Sequence, residues 1–329
     1  MVTKILSALV ALCCVLFPHL IALEVAGRTA LAPAPAETGT DRIHFLSTGS
    51  SDAILLESDG HFALVDAGED TDNPRQFEAL ELPGYENEVL AYLKANAADE
   101  NGKVHLDFVL GTHAHSDHIG GFDTVLLDPD VTADRAYLKV YDSSKINTYE
   151  IEEWDNQEVY DQMVSALHQR NVPVVSAPDG TPFAFGNFTV TLFNTDDPEN
   201  PDRVGENDRS LGVLLEKNGT RVFLAGDIDD KTGDETRLAP AIGKVDLLKV
   251  GHHSYSGSTT KGFVKTLCPA ACVITNSRNN ADLNTVARIA HYARQNRIYI
   301  TGNEHGVLAV IGDEGHIDFY GQICDWEQK

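Results

Sequence analysis

The chain has 329 residues, 42% of them hydrophobic and 23% charged, enough apolar content for a sizeable core and too much for a disordered polypeptide. Asp and Glu number 50 against 25 Lys and Arg, giving a formal net charge of −25 and an isoelectric point near 4.7. A surface of that sign repels polyanions, which counts against nucleic acid and anionic membranes as default partners.

In chain order, Lys4 precedes an apolar run from Ile5 to Phe17, which Pro18 and His19 interrupt before a small-residue zone reaching Ala36. That is the order of a secretory signal, and the run falls short of the roughly 20 residues a membrane span needs. Residues 1–36 are therefore expected to be a signal peptide and spacer, with cleavage near Ala26 or within Ala34-Pro35-Ala36. The expected product is a secreted protein without a stable membrane anchor. Cys13 and Cys14 read as apolar filler, which leaves Cys268, Cys272 and Cys324 for at most one disulfide, with buried thiols an equal alternative.

No long linker or repeat follows the spacer, so one domain is expected over 41–325. Alternating or apolar runs predict strands at Ile43 to Ser47, Ala53 to Ser58, Phe62 to Asp66, Leu106 to Gly111, Phe188 to Phe193, Val213 to Lys217, Val222 to Ala225 and Val245 to Val250. Helical spacing predicts helices at Asn87 to Ala98, Asn156 to Gln169, Thr259 to Leu267 and Ala281 to Arg294. Mixed alternation of this kind suggests a layered α/β protein with sheet inside and helices outside.

Candidate chemistry concentrates at Thr112-His113-Ala114-His115-Ser116-Asp117-His118, directly after an apolar strand. Three imidazoles and a carboxylate crowded at a strand end gain little unless a cation binds them, and the donor set suits zinc. Two later strands end similarly, one in Gly226-Asp227 and one in Gly251-His252-His253-Ser254. Each is weak evidence alone; with the first cluster they complete a dinuclear site.

His-x-His-x-Asp-His, then Gly-Asp, then Gly-His-His resembles the metallo-β-lactamase superfamily, which implies an αββα sandwich with metals at one edge of two facing sheets. Ser51 to Glu57, His61 to Asp66, Trp154-Asp155-Asn156 and Ile242 to Asp246 are more narrowly similar to the catalytic domain of secreted phosphorylcholine esterases. Ser210-Leu211 and Lys249 to His253 are similar to the corresponding domain of DNA-uptake channel proteins.

The resemblance implies two divalent cations, zinc or alternatively manganese. His113 and His115 would hold the first, and Asp117, His118 and one of His252 or His253 the second, with Asp227 bridging. His253 is favoured as the ligand because a small residue, Ser254, follows it, which leaves His252 to support a ligand or to contact substrate. Asp66 would orient ligands by hydrogen bonds. Asp117, while ligating, would orient a water activated between the cations, so that no Ser or Cys nucleophile is required. Many members supply a third histidine to the first cation, but Gly205 to Ser210 contains none, which speaks against a true β-lactamase and leaves the position to Asn207 or water.

Ser254, Ser256, Ser258 and Thr259 precede a predicted helix, where their hydroxyls and the helix N–H groups suit either a phosphate oxygen or ordinary capping. Trp154, Tyr141 and Tyr149 are candidate faces for a quaternary ammonium group, with core packing the alternative. The expected activity is hydrolysis of a small-molecule or glycan-linked phosphodiester. The alternatives are an extracellular nuclease of the DNA-uptake type and a metal-binding protein without catalysis.

Overall fold

The structure, a computed structural model, describes residues 30–36, 38–71, 81–175, 180–196 and 204–329. The expected signal peptide lies almost wholly outside them. Among the described residues no helix is long and apolar enough to cross a membrane.

Two large sheets form the centre. The first has eight strands in the order Ile317–Gly321, Val307–Ile311, Asp41–Phe45, Ala53–Ser58, His61–Ala67, Phe108–Leu110, Ala136–Tyr137 and Val174–Val175. The second has seven, in the order Ile298–Ile300, Ala271–Ile274, Leu247–Lys249, Thr220–Leu224, Gly212–Lys217, Phe188–Phe193 and Phe183–Phe185. Each sheet is antiparallel at one side and parallel at the other.

Because side chains alternate along a strand, each sheet has two apolar faces to bury. Ile54, Leu56, Ala63 and Val65 of the first sheet meet Val213, Leu215, Val222 and Leu224 of the second, forming the core between the sheets. The opposite phase, Leu55, Leu64 and Val109, packs against Val89 and Leu93 of helix Glu86–Asn96 and Val159 and Met163 of helix Asn156–Gln169. On the far side, Leu214, Phe223 and Leu248 are covered by Leu238 of helix Asp234–Ile242, Phe263 of helix Lys261–Leu267 and Ile289 of helix Leu283–Tyr292. The result is the expected αββα order of layers. Cys268, Cys272 and Cys324 are all free thiols, so the bridge left open by the sequence does not form.

Candidate metal centre

The expected ligands gather where the parallel strands end. Asp66 sits near the end of His61–Ala67, and Thr112 to His118 follow Phe108–Leu110 in the first sheet. Asp227 follows Thr220–Leu224, and His252 and His253 follow Leu247–Lys249 in the second. A strand end leaves the chain free to turn while the sheet keeps its origin fixed. Gly226, with φ +51, makes such a turn, and a Cβ there would collide with Ser210 Oγ. Asp66, His252, His253 and Ser254 also hold left-handed backbone, at φ of 55, 48, 48 and 75. Each such non-glycine residue costs roughly 1–3 kcal/mol, and these four stand among or beside the expected ligands.

Asp117, His118, Asp227 and His253 are buried and offer ligand atoms all within 4.8 Å of one another. His113 and His115 are 2% exposed and stand alongside, the His113 and His118 rings 4.2 Å apart at their centroids. Thus the structure brings all six expected metal ligands together.

Their hydrogen bonds decide which ring nitrogens carry protons. His253 Nδ1 lies 3.0 Å from the Thr275 carbonyl oxygen, an acceptor only, so Nδ1 donates and Nε2 keeps its lone pair. His118 Nδ1 donates to Asp66 Oδ2 at 2.7 Å, which frees its Nε2 likewise. These two lone pairs face each other at 3.2 Å, with Asp227 Oδ1 3.2 Å from His118 Nε2 and Asp117 Oδ2 3.3 Å from His253 Nε2.

The other pair repeats the arrangement. Thr112 Oγ1 donates to Asp66 Oδ2 at 2.8 Å and therefore accepts from His113 Nδ1 at 3.0 Å. His115 Nε2 donates to Glu150 Oε2 at 3.2 Å. His113 Nε2 and His115 Nδ1 are then two lone pairs facing at 2.9 Å. Acceptors packed against acceptors need positive charge between them, a proton or a cation, and Asp227 Oδ1 is buried without a well-aligned hydrogen-bond donor. The donor set, imidazole nitrogen and carboxylate oxygen, fits a divalent transition metal.

Those lone pairs are free when a cation is bound; without one, the carboxylates draw a second proton onto His253. Burial pulls the His253 imidazole down, but the Asp227 charge and the hydrogen bonds of Asp117 and Asp227 push it up to about 9. Burial also opposes ionisation of Asp227, yet His253, His118 and His252 hold its carboxyl well below the usual range. His252 differs: burial drives it down to about 4, so it is neutral at physiological pH. Its side chain is 18% exposed, with Nε2 3.9 Å from Asp227 Oδ2 and 3.2 Å from Asn207 Nδ2. His252 therefore stands nearer the solvent and His253 within the cluster.

Other sequence expectations divide. Trp154 lies against His115 with ring centroids 4.3 Å apart. Tyr141 is buried against Tyr160 and belongs to the core, while Tyr149 is 55% exposed. Tyr255, which the sequence reading did not single out, is 38% exposed and meets the His252 ring edge-on at 5.4 Å.

Of the two readings left open for the hydroxyl run, the contacts seen are those of capping and turns. Ser258 Oγ donates to Gly251 O at 2.8 Å, Thr259 Oγ1 accepts from Gly251 N, and Ser254 Oγ accepts from Asp282 N. The amides of Thr259 and Thr260 already donate to Glu235, and Thr260 caps helix Lys261–Leu267, which leaves no anion cradle there.

Two residues that the sequence reading missed complete the surroundings. Glu150 gives no sequence signal, since Glu152 and Glu153 beside it look the same and only the helical phase turns Glu150 inward. Lys249 was quoted only within a motif, yet it is wholly buried, its ammonium against Asp52 and 2.9 Å from Gly226 O.

Residues 63–256, more than half of the chain, match the family described as the Beta-lactamase superfamily domain. ComE operon protein 3 of Bacillus subtilis is 29% identical over 177 residues, covering 53% of this chain and 20% of that protein. Recombination protein 2 of Haemophilus influenzae is 28% identical over 102 residues, covering 31% of this chain and 12% of that protein. The chain thus spans a fifth or less of the length of these relatives. Among solved structures, the metallo-beta-lactamase fold protein YhfI from Bacillus subtilis aligns with a TM-score of 0.48 at 13% identity, covering 79% of this chain and 95% of that one. Zinc-bound PqqB from Methylobacterium extorquens aligns with a TM-score of 0.42 at 13% identity, over 76% of this chain and 84% of that one.

Proposed function

The chain belongs to the beta-lactamase superfamily and is a metal-dependent hydrolase, and on that premise we propose that it is an exported phosphodiesterase or phosphoesterase working with two divalent cations. The observation that carries this reading is the pair of inward-facing imidazole couples beside Asp227. His113 and His115 would hold one cation, Asp117, His118 and His253 the other, and Asp227 would join them. When bound, two such cations supply a nucleophile from water near neutral pH and stabilise the charge that builds on the oxygens of an in-line displacement. Asp117 orients the attacking water. His252 and Asn207, side by side next to the cluster, place polar hydrogens where phosphoryl oxygens enter.

The acidic surface favours a substrate that carries a cationic group beside its phosphate. The aromatic face suited to such a group is Tyr255 beside His252, since Trp154 is engaged with His115. A second reading, DNA hydrolysis, draws support from the likeness of Ser210-Leu211 and Lys249 to His253 to the DNA-uptake group and is opposed by the net charge of −25.

The test is a screen of zinc- or manganese-loaded protein on a chromogenic phosphomonoester, bis-p-nitrophenyl phosphate, p-nitrophenyl phosphorylcholine, a chromogenic lactam and DNA. A phosphodiester should be the best substrate. The choline ester should be preferred over bis-p-nitrophenyl phosphate, with that preference reduced in Tyr255→Ala. Faster turnover of lactam would overturn the proposal, and DNA hydrolysis that falls steeply with salt would replace it with the nuclease. Export predicts a mature protein whose intact mass starts between about residues 24 and 40, and secreted protein beginning at Met1 would contradict it.

A further inference from the structure

Three of the four imidazoles in the two couples are set by groups of the sheets and their adjoining loops: Asp66 for His118, Thr112 for His113 and the Thr275 carbonyl for His253. His115 is different. Its partner is Glu150, on the short helix Thr148–Glu153 that lies between the two halves of the sandwich in the sequence.

Glu150 is anchored independently of the histidine. Its Oε2 accepts from the Glu206 amide at 2.9 Å and lies 3.4 Å from Asn156 Nδ2, while its Oε1 accepts from Asn147 Nδ2 at 3.0 Å. Asn147 in turn caps the helix by accepting from the Glu150 amide at 3.0 Å. Trp154, directly after that helix, lies against the His115 ring with centroids 4.3 Å apart. The ring is thus fixed in both tilt and proton position by one inserted segment.

We propose that Glu150 is the positioning residue of the first cation site, holding His115 with its proton on Nε2 and its Nδ1 lone pair beside His113 Nε2. This rests on the two-cation reading and deepens it. The segment Gly205 to Ser210 supplies no third histidine, so apart from Asn207 or water His113, His115 and Asp227 define that position. With so few ligands, loss of one imidazole's orientation is felt directly. A carboxylate partner also makes the imidazole a stronger donor, and removal of such partners elsewhere lowers metal affinity by about 10–100-fold.

The test uses the full chain with zinc alone, titrated against a competing chelator, in wild type, Glu150→Gln and Glu150→Ala. Wild type should bind two equivalents. Both variants should lose about 10–100-fold in affinity for one equivalent and keep the other, with the alanine variant affected more. Long-range ¹H–¹⁵N spectra of the zinc-loaded wild type should show His115 protonated at Nε2, a signature that merely anchoring the inserted helix would not produce. A proton on His115 Nδ1, or wild-type affinity for both equivalents in the glutamine variant, would overturn the proposal. Fewer than two equivalents in wild type would instead overturn the two-cation reading, and this proposal with it.

Discussion

At the scale of single residues, the least expected feature is a buried ammonium group beside the candidate metal ligands. Lys249 is wholly buried, paired with Asp52 and 3.7 Å from Asp227 Oδ1. Asp52 also accepts from Thr275 Oγ1 and lies 3.5 Å from His253 Nδ1. The lysine therefore balances part of the carboxylate charge of Asp52 and Asp227. Removing one partner of a buried pair leaves an uncompensated charge and typically costs about 3–5 kcal/mol. Lys249→Met should lose stability on that scale in urea unfolding, and Lys249→Met/Asp52→Leu should recover much of it. A single variant as stable as wild type would show that the pair is not needed to compensate Asp52. Such roles are hard to read in a sequence: Lys249 belongs to a strand pattern, and nothing but the fold places Asp52 beside it.

At the scale of elements, legibility followed the strength of the local signal. The strand Ala53–Ser58 and the helix Asn156–Gln169 occur where alternation and helical spacing predicted them. Strand Ala271–Ile274 was not assigned bounds, because four buried residues after Pro269 offer too short a run to show a period. Helix Asp234–Ile242 was not predicted because it contains Pro240, which removes one hydrogen-bond donor near its last turn.

This helix also carries Glu235, whose carboxylate receives the amides of Thr259 and Thr260 at the start of helix Lys261–Leu267. Burial outweighs those donors and pushes its carboxyl up to about 7 from the ordinary 4.5. The folded state therefore binds this proton more tightly than the unfolded chain. The stabilising contribution is complete below about pH 4.5 and fades as pH rises through about 7, a slope that linkage requires. Glu235→Gln should flatten that part of the unfolding profile between pH 5 and pH 8. An unchanged slope would mean that another group sets it.

At the scale of the whole molecule, the two sheets are joined at opposite edges by opposite means. At one edge lies the ligand cluster, with Asp66 and His113 to His118 from the first sheet and Asp227 and His253 from the second. At the other, Lys217 of the second sheet donates to Asp41 of the first at 2.6 Å, with Ser58 on the same carboxylate. A cation held by both sheets binds the folded chain preferentially, which stabilises it by about 2.7 kcal/mol when free metal is at 100 times its dissociation constant. Chelation should therefore lower the thermal midpoint of wild type and leave that of Asp227→Ala nearly unmoved. The strand-end clusters that make this edge were legible in the sequence because crowded imidazoles have few structural uses. The Asp41–Lys217 edge was not, since isolated charges on strands look like solvent-facing residues.

The central claim is that Asp227 joins two cation sites into one hydrolytic centre, and the most direct measurement is metal stoichiometry alongside turnover of bis-p-nitrophenyl phosphate in wild type and Asp227→Ala. Wild type should carry close to two equivalents of zinc or manganese, and the variant should lose metal and turnover together. Asp227→Ala with full metal content and wild-type turnover would contradict the account.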